Sequence, residues 1–72
     1  MRSMTVREFR DVQATLDLDT DQLFTLLEDG ELCVGGVVFK HYYSNHEVLG
    51  ECWCFDIEDT AGNIWQSMKV KV

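Results

Sequence analysis

Apolar residues recur at helical spacing through the first third of the chain, and strand-forming residues dominate the rest. Val6, Phe9, Val12 and Leu16 lie three or four positions apart, and Thr5-Val6-Arg7-Glu8 has the form of a capping box, which predicts a first helix from about Val6 to Thr15. The segment Asp17-Leu18-Asp19-Thr20-Asp21-Gln22 offers a second cap, with Asp19 or Thr20 accepting from the next turn. Leu23, Phe24, Leu26 and Leu27 follow, and Gly30 can end this short second helix in a left-handed conformation.

From Glu31 the pattern becomes β. Val34, Val37, Val38, Phe39, Tyr42 and Tyr43 are strand formers, with Gly35-Gly36 breaking the region at a tight turn or bulge. The Tyr-rich stretch from His41 to His46 reads as a loop. Asp59-Thr60-Ala61-Gly62-Asn63 has the form of a type I turn with glycine in the bulge position, joining strands near Leu49–Glu58 and Ile64–Val72 as a hairpin. The predicted fold class is α+β: two short N-terminal helices packed on a three- or four-stranded antiparallel sheet.

Two rules disagree about the register of that hairpin. Turn chemistry places Asp59 opposite Asn63, which pairs Ile57 with Trp65, Phe55 with Ser67, and Trp53 with Lys69. Segregation of apolar residues instead slips the strands by one, gathering Trp53, Phe55 and Ile57 with Ile64, Met68 and Val70. The turn-chemistry register is the one expected here. It predicts an aliphatic face carrying Cys52 and Cys54 against the helices, and an aromatic face of Trp53, Phe55 and Trp65 left for a partner.

Charge narrows the partner. Six Lys plus Arg stand against 13 Asp plus Glu among 72 residues, a net charge of −7, which repels phosphate backbones and acidic membranes and favours a basic partner. The length suits one domain spanning residues 1–72, without proline, linker or repeat. No apolar run approaches the roughly 18 residues of a membrane span, and Met1-Arg2-Ser3-Met4-Thr5 lacks the apolar stretch of a secretion signal, so a cytoplasmic location is expected. Three cysteines, an odd number, argue for reduced thiols.

Two stretches resemble known families. Asp17, Asp19 and Asp21, with Thr25 and Glu28 beyond, resemble the calcium loop of EF-hand proteins, and Glu8-Phe9-Arg10-Asp11 resembles its entering helix. Gln22 occupies the place of the loop's glycine, Gly30 stops the exit helix early, and no second loop exists, so these acids are read as helix caps and no metal is expected. Phe9, Val12, Leu16, Leu18, Leu23, Leu27 and Gly30-Glu31-Leu32 line up without a gap on the helix–turn–helix of small excisionase and MerR-type winged-helix domains. That resemblance implies a winged-helix-like fold and DNA binding. Asp17 replaces the family's turn glycine, however, and the second helix carries Asp21, Glu28 and Asp29 without any Lys or Arg, whereas groove recognition relies on those cations.

Other chemistry finds little support. Cys52 and Cys54 are separated by one residue on a strand, where structural zinc sites use two to four on a turn. No nucleophile motif, phosphate loop or orienting residue accompanies His41 or His46, so neither an enzyme nor a cofactor is expected. Lys69 and Lys71, alternate on one strand, read as edge protection. The expected function is therefore that of a small acidic protein-binding modulator or inhibitor. Asp17, Asp19, Asp21, Glu28 and Asp29 would imitate nucleic-acid charge toward a basic or nucleic-acid-binding protein, and Trp53, Phe55 and Trp65 would supply aromatic contacts. Small acidic inhibitors of phages and mobile elements share this size and composition. An excisionase-like DNA-binding regulator of transcription or recombination is the alternative, and a homodimer through the aromatic face a third arrangement.

Overall fold

In the computed structural model, which describes residues 3–72, two helices precede four strands. Helix α1 (Val6–Leu16) opens on the predicted capping box, the Thr5 hydroxyl accepting from the Glu8 N–H while the Glu8 carboxylate accepts from the Thr5 N–H. It closes on Asp17 at φ 55°, a left-handed conformation in which a short polar side chain is tolerated better than most. Helix α2 (Thr20–Asp29) repeats the capping box with Asp19 and Gln22 and ends at Gly30 with φ 79°.

Strands β1 (Glu31–Val34), β2 (Val37–His46), β3 (Gly50–Asp59) and β4 (Ile64–Lys71) pair in sequence order as an antiparallel meander. Gly35 and Gly36, at φ 56° and 79°, form the two-residue turn between Val34 and Val37; both positions require positive φ, which glycine adopts without strain. The stretch from His41 to His46 continues β2 instead of forming a loop, because all six residues find partners from Phe55 to Gly50 on β3. Pairing with a full-length neighbour outweighs local loop propensity.

The last hairpin follows turn chemistry next to the turn and apolar segregation beyond it, with Ile64 left on the opposite face beside Glu58. Around the turn, the Asp59 carboxylate accepts from Ala61 N–H at 2.9 Å and Asn63 N–H at 3.0 Å, and Glu58 pairs with Ile64 as turn chemistry dictates. Trp65 is then an extra residue in a bulge, and beyond it the ladder runs one step over: Ile57 with Gln66, Phe55 with Met68, Trp53 with Val70. The expected Ile57–Trp65, Phe55–Ser67 and Trp53–Lys69 pairs are therefore corrected.

Magnitudes explain the outcome. A bulge forgoes about one ladder hydrogen bond, a net 0.5–1.5 kcal/mol. Burying Trp53 and Phe55 removes 150–250 Å² of aromatic surface each, worth about 4–6 kcal/mol apiece as an upper estimate. Accordingly Phe55 is fully buried and Trp53 is 7 % exposed, packed with Val12, Leu16, Leu18, Leu23, Leu26 and Phe39 between helices and sheet. Cys52 and Cys54, expected against the helices, lie on the opposite face beside Lys71 and Lys69. That face carries no helix.

Candidate functional site

The acidic residues singled out from the sequence gather on the helical side. Asp17 and Asp19 flank the interhelical turn, Asp21 and Glu28 lie on the outer face of α2, Asp29 ends that helix, and all five are exposed. Asp21 and Glu28 are two turns apart, roughly 10 Å along the axis. Between Arg10 and Lys40 the chain has seven carboxylates and no cation. None of Asp17, Asp21, Glu28 and Asp29 joins an ion pair among the described residues.

Phe24, which the sequence pattern assigns simply to the apolar run of the second helix, sits between Asp21 and Glu28 on this outer face and is 54 % exposed. Its ring centroid lies 5.0 Å from that of Phe9, tilted by 40°, so α1 props the aromatic ring from one side. One turn before Phe9, Val6 is also exposed. The spacing contains the signal: Phe24 follows Asp21 by three residues and precedes Glu28 by four, while Leu23 and Leu26 take the buried face.

Capping explains part of the acid content. Asp19 Oδ1 accepts from the Gln22 N–H at 2.7 Å, and the Gln22 side chain accepts from the Asp19 N–H at 3.0 Å. Gln22, standing where a calcium loop needs glycine, thus has a structural task of its own. Among the described residues no group of three or more His, Cys, Asp or Glu side chains is arranged to hold a metal ion. Glu28 and Asp29 have no comparable task. They occupy the last turn of α2, where the helix dipole is negative and no basic residue offsets it.

The proposed aromatic face requires correction. Trp53 and Phe55 belong to the core, turned toward the helices by the shift in register, and are removed from any partner surface. Only Trp65 is available, 62 % exposed at the bulge.

The helix-free face of the sheet has its own polar order. From the pairing, Cys33, Val38, Glu58 and Ile64 form one row, Glu31, Lys40, Asp56 and Ser67 the next, then Tyr42, Cys54 and Lys69, then Ser44, Cys52 and Lys71. Glu58 and Asp56 are 8 % exposed each and both are satisfied: Lys40 Nζ lies 3.3 Å from Glu58, and the Ser67 hydroxyl donates to Asp56 at 2.8 Å. Burial raises the Tyr42 hydroxyl above its ordinary pKa, helped by the neighbouring Asp56 carboxylate. Burial likewise pushes the Cys54 thiol up, against the opposing pull of Lys69, which keeps it protonated and unreactive near neutrality. On the other face, His41 stacks on Phe55 at 4.5 Å and its Nδ1–H donates to the Cys54 carbonyl; burial nevertheless lowers its pKa.

No helix among the described residues is long and apolar enough to cross a membrane. Comparison with protein-family models, with curated proteins and with solved structures returned no match.

Proposed function

We propose that the chain is a protein-binding modulator whose acidic helical layer receives a basic macromolecule, in the manner of a nucleic-acid mimic. The observation that carries this reading is the outer face of α2, where the exposed Phe24 lies between Asp21 and Glu28. Its charge is placed partly where it works against the helix, at Glu28 and Asp29. An aromatic anchor ringed by carboxylates suits a partner that offers Arg or Lys around an apolar contact, because the rim charges steer encounter while the ring supplies buried area. The partner would be a basic or nucleic-acid-binding protein, and the modulation an occlusion of its binding surface.

A second reading, a DNA-binding regulator, draws on the order helix, turn, helix, hairpin that the excisionase resemblance implies. It conflicts with the absence of any cation on α2. An amide-resolved NMR titration separates the two, using an arginine-rich helical peptide and a mixed-sequence DNA duplex, each at low and physiological salt. Shifts at Asp21, Phe24, Glu28 and Asp29 with the peptide, lost in the Asp21→Lys/Glu28→Lys/Asp29→Lys variant, support the modulator. Shifts with the duplex over Gln22–Asp29 and the β1–β2 hairpin, fading with salt, refute it in favour of the regulator.

A further inference from the structure

A chain of net charge −7 resists meeting its own copies, and that repulsion is unevenly distributed over the surface. The helix-free face of the sheet holds Lys40, Lys69 and Lys71 against Glu31, Asp56 and Glu58, so it is electroneutral, and the whole net charge lies elsewhere. It is also polarised along the strands. Its carboxylates occupy the two rows at the Glu58 end, where Lys40 offsets one of them by pairing with Glu58, while Lys69 and Lys71 occupy the two rows at the other end, both exposed. Apolar surface accompanies them: Ile64 is 59 % and Tyr42 44 % exposed, with Val38 half-buried nearby.

We infer that the helix-free sheet face is a self-association surface occupied by a second copy of this chain. A two-fold axis lying between the sheets and perpendicular to the strands sets the lysine end of each copy over the carboxylate end of the other, which a polarised neutral face makes self-complementary. Sheets packed this way lie within about 30° of alignment. Four strands about 4.8 Å apart, paired over roughly eight residues of about 3.3 Å, offer some 500 Å² per copy. The total of about 1,000 Å² sits at the lower limit for a specific interface, so the dimer is weak and fast-exchanging. Both acidic helical layers then point outward. The dimer is bivalent toward whatever the α2 face binds, though the association itself does not depend on that binding.

Sedimentation equilibrium and amide NMR on a dilution series from about 1 mM to about 5 µM test the idea, a range that covers the affinities of weak transient complexes. The expected mass rises with concentration from the 8.3 kDa monomer toward twice that value, with concentration-dependent shifts on Tyr42, Ile64, Ser67 and Lys69. The Lys69→Glu/Lys71→Glu variant, checked for an unchanged melting profile, is expected to weaken association at least about tenfold. A monomer across the whole range overturns the inference. So does a dimer whose shifts map to the helices or to the outer backbone edge of β4 instead. The dilution shifts of the unmodified protein decide the matter even if the lysine variant fails to fold.

Discussion

Neutralising the acids at the end of α2 should make the protein more stable and a poorer binder. Glu28 and Asp29 lie in the last helical turn with no cation to offset the dipole, and neither joins an ion pair among the described residues. Each such exposed charge is unfavourable by about 0.3–1 kcal/mol at low ionic strength. Glu28→Gln and Asp29→Asn change charge with little change in helix propensity, so the double variant isolates the electrostatic contribution. A gain of about 1 kcal/mol corresponds to a rise in Tm of roughly 4–8 °C for a domain of this size. Thermal unfolding followed by circular dichroism at low salt, repeated near 1 M salt where the screening length shrinks to about 3 Å, reads the effect and its cause. The gain should largely vanish at high salt, while affinity for an arginine-rich peptide falls at low salt. A variant no more stable than the parent at low salt would refute the argument that these carboxylates are held against a stability cost.

The two tryptophans should separate sharply on truncation: Trp53→Ala removes a core side chain and is expected to cost about 3–5 kcal/mol, whereas Trp65→Ala at the exposed bulge should stay within about 0.5 kcal/mol in urea unfolding. Equal losses would mean that the register beyond Trp65 is wrong. His41 sets an acid limb of the stability profile. Because burial holds its folded-state pKa below the unfolded value near 6.5, the folded protein binds the proton less readily than the unfolded chain. Its contribution is therefore complete above that value and declines as pH falls below it. Melting temperatures across that window should drop, and His41→Phe, which keeps a ring on Phe55, should flatten the drop; an unchanged limb in the variant would sink the assignment.

Local grammar determined much of this protein by itself. The capping box of Thr5 with Glu8, a cap before the second helix, the glycines at Gly30, Gly35 and Gly36, and the Asp59–Asn63 turn each act over a few residues, and each stands where sequence reasoning placed it; that Asp19 and not Thr20 is the cap, with Gln22 closing a reciprocal box, came from the structure. The exposure of the five helical acids was legible for the same reason, since charged side chains without partners stay in water. What required the tertiary structure was the choice of which face of β3 turns inward. Trp53, Phe55 and Ile57 alternate with Cys52, Cys54 and Asp56, and neither set is ruled out locally. The helices decide, through Val12, Leu23 and Leu26, by rewarding the larger aromatic surface enough to force an extra residue at Trp65. Spacing alone puts Phe24 on one helix face with Asp21 and Glu28; the same long-range packing decided that this face stays outside, because α2 turns Leu23 and Leu26 to a core already filled by Phe55 and Trp53.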